Sequence, residues 1–121
     1  MSFLDNFRND FTTSDNAKSD ELLTRYFRND YNSTKKAILE VCDKLKYTIV
    51  NVNDDYKEFL ISSSRSEIII SVIAVGYYEM AVDLKINTKY LISMGRGLQE
   101  IGKFYAELEK SLNMIRKGKL I

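Results

Sequence analysis

The stretch MGRGLQEIG, residues 94–102, holds the residues whose types and spacing come closest to chemistry. Glycines at 95 and 97 let the backbone turn tightly and present N–H groups at the start of a helix, where the helix dipole favours an anion. Arg96 stands between them and can pair with one. The dinucleotide-binding fingerprint needs a third glycine where this chain has Glu100, and a phosphate loop of the Walker type needs Gly-Lys followed by Ser or Thr. Neither pattern is present. Gly95, Arg96 and Gly97 are left as a candidate site for a small anionic ligand. An enzyme acting on a phosphate-bearing small molecule could add Asp83, Tyr90 or Glu100 as acid-base groups. The plainer alternative is a turn from strand to helix, with Gly102 letting that helix approach the sheet.

Beyond this stretch the chemistry is thin. The chain has no histidine, which removes the usual base near neutral pH, the Ser-His and Cys-His pairs and the commonest transition-metal ligand. The single Cys42 can form neither an internal disulfide nor a cysteine-rich zinc site. Asp54, Asp55 and Glu58 are the densest acidic group, but they lack the calcium-loop spacing and glycine, and Lys57 dilutes their charge. They read as a solvated turn, and neither metal nor cofactor is expected. Lys85, Lys89, Arg96, Lys103, Lys110, Arg116, Lys117 and Lys119 make the last third basic, with Tyr90, Phe104 and Tyr105 among them. Cations and aromatics together can hold nucleic acid. Glu100, Glu107 and Glu109 break the run, so a mixed, solvated surface is the preferred reading and nucleic acid is not the expected partner.

The elements that must position these residues follow from length and periodicity. A chain of 121 residues suits one core, and 45% apolar with 29% charged residues argues against disorder. Residues 1–20 read as a short amphipathic helix, with Phe3, Phe7 and Phe11 on one stripe, followed by a polar linker; residues 21–121 read as one domain. Residues 21–29 predict a strand. Asn32 or Ser33 can then cap a helix carrying Ile38, Val41, Cys42 and Leu45, a stripe on which Cys42 acts as a small hydrophobe. Residues 47–64 predict a hairpin turning at Asn53, Asp54 and Asp55. SEIIISVIAVG reads as a central strand and YYEMAVDLKIN as its alternating neighbour. From Leu98 the apolar spacing turns helical through Leu112 and Ile115, with Gly118 as its stop. The expected fold is a two-layer α+β domain: an antiparallel sheet of four or five strands, two main helices on one face, and the short N-terminal helix.

The stretches TRYF, YKEFLI and AVDLKINTKYLISMGRG, with the long helix after them, resemble small uncharacterised cytosolic proteins of low-GC Gram-positive bacteria, grouped as domains of unknown function. The similarity spans roughly residues 21–115. It implies an α+β fold and no established activity.

Phe3, Phe7 and Phe11, the pair Tyr77–Tyr78 beside Gly76 and the outer face of the sheet are the candidate protein contacts; tyrosine offers large, fairly rigid area with a polar tip. No apolar run is long enough to span a bilayer. The leading expectation is a cytoplasmic, non-enzymatic domain that binds a protein partner, a second copy or a small ligand. The phosphate-acting enzyme and the nucleic-acid-binding domain are the alternatives.

Overall fold

The computed structural model describes residues 11–14, 22–64, 66–88 and 94–118. The elements run β1 (Phe11–Thr12), β2 (Arg25–Phe27), α1 (Tyr31–Lys44), β3 (Thr48–Asn53), β4 (Glu58–Ser62), β5 (Ser66–Gly76), β6 (Glu79–Thr88), α2 (Met94–Ser111) and β7 (Met114–Lys117). Six strands form one antiparallel path in the order β3-β4-β5-β6-β2-β7, and two-residue β1 pairs with β6 beside it. The last third of the chain therefore returns to the sheet next to its beginning.

Both helices cover one face. The alternating residues Ile68, Ile70 and Val72 of β5, and Met80, Val82, Leu84 and Ile86 of β6, meet Ile38, Val41 and Cys42 of α1 and Ile101, Phe104 and Leu108 of α2 in one core. On the opposite face Ile69, Ala81 and Tyr26 are also buried. The Arg116 guanidinium stacks 4.0 Å from the Tyr26 ring and bonds Glu79 at 3.2 Å.

Local chemistry sets the helix limits. Asp30, and neither Asn32 nor Ser33 as expected, closes the start of α1: its Oδ1 accepts from the Ser33 N–H at 2.8 Å. At the other end Lys46 takes a left-handed conformation (φ 63°), so that the Tyr47 N–H reaches the Cys42 carbonyl and the Lys46 N–H reaches that of Asp43. This is the Schellman arrangement, with lysine where glycine is usual.

The structure corrects the expected strand number and the expected N-terminal helix. Leu112 and Ile115 fit a helical spacing, but α2 ends at Ser111 and Met114–Lys117 pairs with β2. Gly118 (φ 70°) follows that strand, and its N–H donates to the Thr24 carbonyl at 2.7 Å. Phe11 lies in β1, paired with Ile86, and does not end a helix. Residues 1–10, with Phe3 and Phe7, lie outside the described residues. A two-residue strand has no periodicity to read, and a four-residue strand joined directly to a helix inherits the helix's pattern.

Candidate functional site

The largest exposed apolar side chains gather at one end of the sheet. β4 begins at Glu58, opposite Ser71, and its last bond to β5 runs from the Val72 N–H to the Lys57 carbonyl at 2.9 Å. Past that point β5 and β6 continue as a hairpin with no β4 beside them. Ile73 is 52% exposed, Val75 53%, Tyr77 81% and Tyr78 62%. The two tyrosine rings meet edge to face at 4.7 Å. Val75 is extra to the ladder, since Ala74 pairs with Met80 and Gly76 with Glu79. A bulge of this kind sharpens the local twist and re-aims side chains.

Beneath the tip lies a cavity of about 320 Å³, lined by Tyr31 and Asn32 of α1, Lys57, Ala74, Gly76 and Tyr77 among others. One wall is held by charge. Asp54 accepts from the Tyr31 hydroxyl and the Lys35 ammonium, both at 2.9 Å, and the Lys57 ammonium lies 5.4 Å from the Tyr31 ring centre. Lys35 and then Tyr31 hold the Asp54 carboxyl below its usual range. Burial, and then Asp54, pushes the Tyr31 phenol up. Asp54 is thus engaged, while Glu58 is buried on β4.

The sequence-derived anion turn is helical: Gly95, Arg96 and Gly97 lie in the first turn of α2, four residues earlier than the spacing places the helix start, and Gly97 is buried. Three residues on, Glu100 lines a smaller cleft of about 180 Å³ with Leu45, Tyr47, Ser63 and Lys103. Its Oε1 accepts from the Tyr47 hydroxyl at 2.7 Å and the Ser66 hydroxyl at 3.0 Å. Burial, and then Glu100, raises the Tyr47 phenol.

Asp83 belongs to a different place. One edge of β6 is shared by β1, paired at Lys85 and Ile86, and by β2, paired from Met80 to Val82. Asp83 sits where the edge changes hands, and its Oδ1 accepts from Thr13 and Thr24, both at 2.6 Å. Tyr90 lies outside the described residues. The acid-base groups of the enzyme reading are therefore not brought into one described cavity.

Two of the basic residues of the last third, Lys110 and Arg116, are met by acid. Glu107 bonds Lys44 at 2.7 Å and Lys110 at 3.0 Å, and these ammonium groups hold its carboxyl below the usual range. Arg116 is tied to Glu79 and Tyr26. Phe104 and Tyr105 are core residues, so neither offers a ring for a base.

Sequence reasoning picks out Tyr77 and Tyr78 but misses Ile73, Val75 and the cavity. The run IIISVIAV, broken only by Ser71, is apolar at both alternate positions and reads as a strand covered on both faces or partly covered by another element. The missing signal is length: β5 has eleven residues and β4 only five. No protein-family model and no curated protein matches the chain. Among the described residues no helix is long and apolar enough to cross a membrane.

Proposed function

We propose that this is a cytoplasmic, non-enzymatic protein-interaction domain whose contact surface is the projecting end of the β5–β6 hairpin. One observation carries the reading. Four large apolar or aromatic side chains within six residues, Ile73, Val75, Tyr77 and Tyr78, each stand more than half exposed. Exposed large apolar groups scattered singly are ordinary, whereas several gathered on one short hairpin end favour a contact surface. The cavity beside it, walled by Tyr31 and Lys57, supplies a seat for a partner's side chain next to the protruding rings. The separation of Asp83 from the Glu100 cleft speaks for binding over catalysis.

The test is a photo-crosslinking amino acid at position 77, compared in cells with the same group at exposed Ala106 on α2. A discrete adduct formed from position 77, absent from position 106 and lost on adding Val75→Ser and Tyr78→Ser, is the expected result. Equal labelling from both positions, or adducts indifferent to those substitutions, rules the surface out.

A further inference from the structure

Among the described residues the two outermost strands of the sheet, β3 and β7, are guarded unequally. β7 has Arg116 and Lys117 among its four residues, whereas β3, TIVNVN, has no charge and no proline in six. Its exposed side chains include two large apolar residues, Ile49 at 43% and Val50 at 52%. Charge and proline are the usual means by which an edge strand avoids adding a neighbour.

The ladder shows which backbone groups β3 turns outward. Because the Val72 N–H bonds the Lys57 carbonyl, odd residues of β4 turn to β5 and even ones to β3. Ser62, Leu60 and Glu58 therefore use the backbone groups of Thr48, Asn51 and Asn53, with Val50 bulged between. Ile49 and Val52 point their N–H and C=O groups away from the sheet, and no described residue meets them.

We propose that β3 is the interface of a two-fold homodimer, in which the β3 strands of two copies pair antiparallel, Ile49 of each against Val52 of the other. This register pairs both outward residues with outward residues and keeps Ile49 and Val52 on the helix-bearing face in each copy. It also matches charge. Lys46, just before β3, comes opposite Asp55, just after β3 in the second copy, and symmetry makes the match twice; both residues are exposed. A parallel pairing would set lysine on lysine. Above the strands, α1 turns one flank to α2, where Lys44 meets Glu107, and the other to the β3–β4 turn, where Lys35 meets Asp54. Such an interface is self-complementary and closes at two copies. It leaves the hairpin tip free, because β4 separates β5 from β3.

Sedimentation equilibrium of the full chain tests this, with Ile49→Pro, Ile49→Lys, Lys46→Glu and Lys46→Glu with Asp55→Lys. The proline removes an N–H that the β3–β4 ladder does not use, and the lysine guards the edge with no change of backbone. The wild type is expected to dimerise. Ile49→Lys should raise the dissociation constant at least tenfold, as should Ile49→Pro where circular dichroism shows it folded. Lys46→Glu should weaken the dimer several-fold, and the double charge exchange should restore it. A wild type that stays monomeric at millimolar concentration, or a dimer that Ile49→Lys leaves intact, overturns the proposal; a dimer indifferent to the charge reversal overturns the register. The crosslinking at position 77 reads a different surface, so either proposal can fail alone.

Discussion

The Tyr105 hydroxyl, on α2, reaches Thr13 Oγ1 at 3.1 Å across 92 positions of sequence and donates to the Val82 carbonyl at 2.7 Å. Thr13 is the hub of this contact. Its hydroxyl donates to Asp83, its oxygen accepts the Leu84 N–H at 2.8 Å, and its own N–H donates to the Leu84 carbonyl. A single side chain thereby fills the break where β6 passes from β1 to β2. The buried Arg25 guanidinium, 4.4 Å from the Tyr105 ring centre, packs against the same group.

Thr13→Val keeps the shape and removes all the hydroxyl bonds, leaving the Leu84 N–H unmet. It is expected to cost about 2–3 kcal/mol in urea unfolding, with Tyr105→Phe costing about 1–2 kcal/mol. Faster exchange of the Leu84 amide in Thr13→Val, with distant amides unchanged, locates the effect. An unchanged unfolding midpoint in Thr13→Val would remove the hub.

Lys46 occupies a left-handed position where only glycine is free of strain. Lys46→Gly should stabilise the fold by about 0.5–1 kcal/mol, read by urea unfolding at a protein concentration low enough to keep the chain monomeric.

Stability falls toward both acid and alkali. Glu107 and Asp54 have lowered carboxyl pKa values in the folded state, so their contribution is complete above the ordinary values of 4.5 and 3.8 and fades as pH falls through the lowered ones. Glu107→Gln should flatten the acid limb below about pH 4.5. Tyr31, Tyr47 and Tyr105 have raised values, so their neutral forms stabilise fully below the ordinary value of 10 and lose this as pH climbs past it. Ultraviolet titration of the folded chain should leave these three phenols protonated at pH 10, and their ionisation should accompany alkaline unfolding. A Glu107→Gln protein with the wild-type acid limb would contradict the first assignment.

Cys42 is fully buried, and burial pushes its thiol up to about 12. A thiol reagent at neutral pH should react only through opening of the core, at a rate that rises with urea. Rapid stoichiometric labelling of the folded protein would place the thiol elsewhere.

Tyr77 and Tyr78 are both largely exposed and meet each other edge to face. Replacing both with serine should change stability by less than about 0.5 kcal/mol, so that any loss of crosslinking reports contact and not unfolding.

Much of this was determined by local pattern. The helical stripe of Ile38, Val41 and Cys42 and the alternation of Met80, Val82, Leu84 and Ile86 are repeats with a period, and a period survives in sequence because one face of each element must be buried; the turn after Asn53 is legible from its Asn and Asp residues, which bond their own backbone. The tertiary structure decided what has no period. Thr13 lies in a polar stretch that reads as linker, yet it completes a sheet edge whose partners come from residues 70 and more positions away. Ile73 and Val75 carry the residue types of a covered strand, and stand exposed because β4 stops short of them. Ile49 and Val52 became outward groups only through the pairing of β3 with β4 and the bulge at Val50. Burial and edge position belong to neighbours, and the neighbours of these residues are assembled by the fold.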